Sequence, residues 1–191
     1  MTAFEFVFAL VSIITSLTIT HMLTGLVNVL RNRKIFQISL VHALWGWSAL
    51  LLAIGNWASF WGMRSNPSWA AWTVLLNVTV MIAQYVFCAL VTPEIPHGVT
   101  INREDSQEQD KSRFTLAAAV FFSLAIAANT ALGGAGFYES WARDNVVSIL
   151  GLVLAVIAYA IRAPWLQLAV AAAFLLLNSY YAIVTCNVVT N

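Results

Sequence analysis

Two of the three histidines in this chain, His21 and His42, stand inside long apolar runs, in TITHMLTG and SLVHALWG. An imidazole titrates near neutral pH and can ligate a metal or a haem iron, so these two positions are where chemistry is first sought. They flank the basic turn RNRK, His21 twelve residues before Arg33 and His42 nine after it. At ~1.5 Å per helical residue the two lie within one turn of the same depth. Gln84 and Tyr85 of the third apolar run reach a similar level, and Asn178 of the sixth lies nearer the centre. Together with Thr24 and Asn28, on the face of His21, they make a candidate polar layer of His21, Thr24, Asn28, His42, Gln84, Tyr85 and Asn178.

Three chemistries fit such a layer. Neutral imidazoles can pair with amides, hydroxyls and carbonyls as a hydrogen-bonded core. They can form a permeation or proton-relay site, since ionisable groups are costly to keep in a membrane. Or His21 and His42 can supply the axial ligands of a b-type haem. Cation-coupled transport usually needs a mid-span carboxylate, and none is present. Consecutive helices joined by a short turn leave little room for a porphyrin. Two histidines are too few for a stable zinc site. No metal and no cofactor are therefore expected, and bis-histidine haem is kept as the alternative.

Beside His21 runs a row of small polar residues, Ser12, Ser16, Thr20, Thr24 and Asn28, at every fourth position. Four-residue spacing drifts about 40° per rung, so the row forms one slanted ridge about 24 Å long. In lipid such residues allow helices to approach closely and hydrogen-bond, so the ladder is read as a helix-packing seam. No nucleophile elbow, HExxH, P-loop or carboxylate pair appears, which leaves enzyme activity the least supported class. Cys88 and Cys186 fall at opposite faces of the bilayer, lack Cys-x-x-Cys spacing, and are read as packing residues.

The elements that must carry these residues follow from composition. The chain has 191 residues, 61% hydrophobic and 9% charged, against about a quarter charged in soluble proteins. Charge-free runs cover 36–63, 68–93, 114–138, 146–161 and 165–191, and 4–30 carries only Glu5. Most exceed the ~20 residues that cross ~30 Å of hydrocarbon; the fifth is short. The runs are continuous rather than alternating, which excludes barrel strands. The expectation is an all-α bundle of six transmembrane helices. With no basic residue before Arg31, a cleaved signal peptide is not expected.

With the N-terminus outside, seven basic residues fall in the cytoplasm and only Arg64 and Arg143 outside. That bias places both termini outside. Trp57, Trp61, Trp69, Trp72, Tyr138 and Trp141 then gather near the outer interface. The hydrophilic stretch 93–113 reads as a mobile cytoplasmic linker, with His97 solvent-exposed, between a first three-helix half (1–92) and a second (114–191). Pro67 with Trp69 and Pro164 with Trp165, each Trp followed sixteen residues later by Tyr85 or Tyr181, admit a duplication. With three helices per half, a duplication would be inverted in the membrane. Alanine rows such as LAVAAAF permit close contact between subunits, and a homo-oligomer is expected. A net charge of +1 gives no reason to expect nucleic acid.

The opening EFVFALVSII…THMLTGLVNVLRNRK, followed by VHALW, resembles an uncharacterised group of small bacterial multi-pass inner-membrane proteins over roughly the first two helices. The resemblance implies a bacterial inner-membrane location and no particular chemistry. The leading functional expectation is a small channel- or transporter-like module for an ion or small solute. The alternatives are a structural or partner-binding subunit of an oligomeric membrane assembly, and the bis-histidine haem protein.

Overall fold

A computed structural model describes residues 2–31, 39–65, 69–92, 103–132 and 137–190. The described chain is helical throughout: α1 (Ala3–Arg31), α2 (Leu40–Trp61) with a 3-10 turn at Gly62–Ser65, α3 (Ala71–Val91), α4 (Arg103–Leu132), α5 (Phe137–Ala160) and α6 (Pro164–Thr190). Five of the six are long and apolar enough to cross a membrane, and the apolar part of α5, Asp144–Ala160, is shorter. This is a multi-pass membrane architecture. Its outer surface carries large apolar side chains such as Leu75 (68% exposed) and Leu176 (71%), as lipid rather than water requires.

Local signals set the helix ends. Thr2 and Glu5 form a reciprocal capping box, the Thr2 amide donating to the Glu5 carboxylate (2.8 Å) and the Glu5 amide to the Thr2 hydroxyl (3.2 Å). The lone charge in the first apolar run is thus a cap. Pro164 is the first residue of α6, where its missing N–H loses nothing. Lys111 donates to the Ile161 carbonyl beyond the end of α5 (2.9 Å), a cation against orphan carbonyls.

Helix directions follow from paired contacts. Trp45 of α2 stacks near Phe174 of α6, and Gly55 ten residues later meets Tyr181 and Ala182, so α2 and α6 run parallel. A methyl on Gly55 would stand 2.9 Å from the Tyr181 ring and 3.1 Å from the Ala182 backbone; glycine is what lets these helices touch. In α4 and α5, Lys111 meets Ile161, Phe122 meets Gly151, Asn129 meets Asn145 and Thr130 meets Trp141. The pair is antiparallel, and α5 returns along the whole apolar stretch of α4 despite its short hydrophobic run.

The packing differs from the sequence expectations in three places. The charged stretch read as part of a linker is helical from Arg103 onward; it is rich in Glu, Gln, Lys and Arg, which are good helix formers. Residues 93–102, with His97, lie outside the described residues. Inverted halves would repeat the α2–α6 contact as α5–α3, yet α3 packs on α4 and α1 instead, so the described contacts do not carry that symmetry. The ladder is not the buried row of α1. That row is Val7, Val11, Thr15, Thr18, Met22, Gly25 and Val29, while Ser16, Thr20, Thr24 and Asn28 are exposed. Ser16 and Thr24 donate to carbonyls four residues back (2.7 and 2.8 Å), which lets a hydroxyl face lipid without an unmet bond.

Candidate functional site

The bundle holds an open cavity of about 420 Å³ toward the end where α2 gives way to α3 and α4 to α5. Such volumes are typical of small-molecule sites. Its polar wall comes from five helices: Asn56 and Ser59 of α2, Asn77 of α3, Asn129 of α4, Asp144 and Ser148 of α5, and Tyr181 of α6. The remaining wall is apolar, including Leu52, Val80, Phe121, Phe122 and Ala125.

The asparagine side chains of this wall are each held by a neighbour. The Asn56 amide donates to Gln84 Oε1 at 2.5 Å and approaches the Met81 sulfur at 3.9 Å, joining α2 to α3. The Asn77 amide donates to the Thr73 carbonyl one turn back (2.8 Å). The Asn129 amide donates to Asn145 Oδ1 (3.2 Å), and the Asn145 amide to the Trp141 carbonyl (3.0 Å). The Ser59 hydroxyl donates to the Asn56 carbonyl (2.7 Å), and Tyr181 stands on the same cavity wall. Buried amides in lipid must be satisfied in this way.

On the side away from its mouth the bundle is filled by aromatic rings. Phe122, on the cavity wall, lies 5.7 Å from Phe174, which lies 4.4 Å from Trp45. Trp45 also touches Phe114 (5.2 Å) and Phe87 (6.4 Å), so its one indole meets rings from three other helices. Beyond this cluster comes His42, 6.0 Å from Phe114, with Nε2 2.5 Å from the Val91 carbonyl.

The residues of the expected polar layer are thus distributed rather than gathered. His21 is half-buried and rests against the Tyr85 ring at 6.0 Å, while His42 sits on Val91 and Phe114; no hydrogen bond joins the two histidines. Gln84 is buried and serves Asn56. Asn178 is fully buried, its amide donating to the Phe174 carbonyl (2.8 Å) and its Oδ1 without a partner. Thr24 and Asn28 face outward with Ser16 and Thr20, and Ser12 accepts from the Trp57 indole (2.9 Å). Depth along a helix is legible from residue counting. Azimuth is not, and it sends His21 and His42 to different neighbours.

Asn56, Ser59, Asn77, Asn129, Asp144 and Ser148 escaped the sequence reading. A signal was available: Asn56, Asn77 and Asn129 interrupt apolar runs at similar distances from the same membrane face. Among the described residues, no group of three or more His, Cys, Asp or Glu gathers as metal ligands. Cys88 is buried and Cys186 half-buried, both as free thiols. The chain matches no protein-family model, no curated protein and no solved structure.

Proposed function

We propose that this chain is an integral protein of a bacterial inner membrane that crosses six times and holds a small polar solute in the cavity between its halves, as a carrier or solute-binding module. The carrying observation is the cavity itself, a wall of asparagines and hydroxyls drawn from five helices of an otherwise apolar bundle. Polar groups are costly in hydrocarbon, yet here they gather around a common void. The aromatic fill around Trp45 favours a pocket closed at its inner end over an open pore. The sixth crossing is supported by α5 matching α4 along its whole apolar length. The basic residues favour an outward mouth and outward termini.

A second reading, a subunit of a homo-oligomeric assembly, is favoured by one groove. Between α1 and α2 a recess of about 320 Å³ is lined by Ser12, Thr15, Ser16, Ile19, Ile54 and Trp57, and the buried Thr15 hydroxyl there has no partner. A helix of a second copy would fill it. Haem ligation by His21 and His42 draws no support from their separate contacts.

Thiol labelling tests the leading reading. In a Cys186→Ser background, Ser59→Cys and Ser65→Cys are expected to react with an impermeant maleimide in intact cells, whereas Ser106→Cys reacts only after permeabilisation. Reaction at Ser65→Cys with none at Ser59→Cys, even in permeabilised cells, would show that no water-filled cavity exists. Exchange of the inside and outside patterns would reverse the orientation.

A further inference from the structure

We infer that the cavity takes an uncharged solute that both donates and accepts hydrogen bonds, the chemistry shared by small carboxamides and polyols, in preference to an ion of either sign; this rests on the cavity being a solute site.

The hydrogen-bonding capacity left over on the wall carries the inference. A side-chain amide has one oxygen acceptor and two N–H donors. Asn77 gives one N–H to the Thr73 carbonyl, and Asn129 gives one to Asn145 Oδ1. Among the described residues neither side chain makes another bond, so each keeps an oxygen and a second N–H, and both residues line the cavity. Asn56 has its nitrogen engaged by Gln84 and Met81 and keeps its oxygen. Ser148 adds a whole hydroxyl. Ser16, Ser123 and Ser179 each donate to the carbonyl four residues back, the usual way a helix satisfies a serine. Ser148 makes no such bond, and among the described residues its hydroxyl has no partner, so it can both donate and accept.

The wall is therefore mixed, with donors and acceptors side by side. An ammonium ion brings donors alone and a carboxylate acceptors alone, so each leaves part of the wall unpaired at a cost. Charge offers neither ion a compensation. Among the described residues no Lys, Arg or His lines the cavity. Asp144, its one charged residue, is exposed and has a protein interaction of its own. An ion would leave water for a space without a buried counter-charge. A neutral amide or polyol carries both kinds of group on one molecule, and Leu52, Val80 and Ala125 receive its carbon atoms. A volume of about 420 Å³ is many times the ~30 Å³ share of one water, so a larger molecule has room.

The test places a thiol at Ser59, whose own hydroxyl is committed to the Asn56 carbonyl, as Ser59→Cys in a Cys186→Ser background of purified full-length protein. The Cys186→Ser protein alone gives the background of buried Cys88. Labelling by methyl methanethiosulfonate is timed with acetamide, acetamidinium chloride, sodium acetate or acetone, solutes of one size, at equal concentration and ionic strength. Acetamide is expected to slow labelling. Acetamidinium, with donors alone, and acetate and acetone, with acceptors alone, should protect at least roughly fivefold more weakly, what one neutral hydrogen bond supplies. Glycerol is the second arm: protection at least as strong as by acetamide points to polyols, and weaker protection to carboxamides. Ser148→Ala removes no bond within the described protein, so it should leave thermal stability unchanged. It should raise the acetamide concentration for half-protection roughly fivefold. Protection by acetamidinium or acetate equal to that by acetamide would overturn the preference for an uncharged solute. Equal protection by acetone would overturn the need for both kinds of group. Labelling that no solute slows, or acetamide protection unchanged in Ser148→Ala, would overturn the inference and leave the water-filled cavity standing. No labelling at Ser59→Cys would remove the cavity itself, and the solute site with it.

Discussion

Trp45→Ala is expected to be the most damaging single substitution in the bundle, lowering stability by about 3 kcal/mol. Large aromatic-to-alanine changes in cores cost about 3–5 kcal/mol. The low end applies because lipid supplies no water-transfer term, so only lost packing counts. The indole is 2% exposed and contacts Phe87, Phe114 and Phe174, so its removal loosens α3, α4 and α6 together. It also opens the aromatic fill between the cavity and His42. Native Cys88, fully buried and 3.8 Å from the Ala49 carbonyl, should then become reactive toward a small water-borne maleimide. Trp47→Ala is the control, since Trp47 is 58% exposed on the lipid side and its loss should cost little. Equal effects of the two tryptophans on thermal unfolding in detergent, with Cys88 silent in both variants, would refute the account of the aromatic fill.

The second large effect is expected at Gly151, on the seam of α4 and α5. An added methyl would stand 2.5 Å from Cε1 and Cζ of Phe122 and 2.8 Å from Cε2. The ring is already bounded by Phe174 at 5.7 Å and Phe121 at 5.0 Å, so it must tilt toward the cavity or drive the helices apart. Overpacking of this kind typically costs about 1–3 kcal/mol. Alanine regains up to about 1 kcal/mol of helix propensity, so Gly151→Ala should be net destabilising by about 1–2 kcal/mol, and Gly151→Leu more so. Gly46→Ala separates the two terms, because no atom lies within 4 Å of its added methyl, and it should be neutral or mildly stabilising. A melting-temperature comparison of the three variants decides the point. A stabilised Gly151→Ala would show that Phe122 is not confined.

The membrane architecture was legible in the sequence because it follows from runs of residues without charge, a property of composition and length. The fifth helix was legible in place but not in extent: its first turns include Trp141, which bonds Thr130, Asp144, which lines the cavity, and Asn145, which accepts from Asn129. The site was less legible. The sequence marks histidine as the rare ionisable residue, and depth counting brought His21 and His42 together. Yet rotation about each helix axis depends on which neighbour it packs against, and that is set by contacts such as Gly55 on Tyr181, far apart in the chain. The asparagines that line the cavity look like ordinary packing residues until five helices are assembled around a common void. The outward row on α1 is a similar case, since a polar four-residue repeat does not by itself say which face meets the bundle.

A density map of the protein in lipid nanodiscs, at a resolution that separates side chains, tests the central claim most directly. The account predicts an open cavity between Asn56, Asn77 and Asn129, containing ordered non-lipid density, water or solute, within hydrogen-bonding distance of the asparagine oxygens. A bundle collapsed onto that space, or a lipid tail threading through it past the amides, would contradict it.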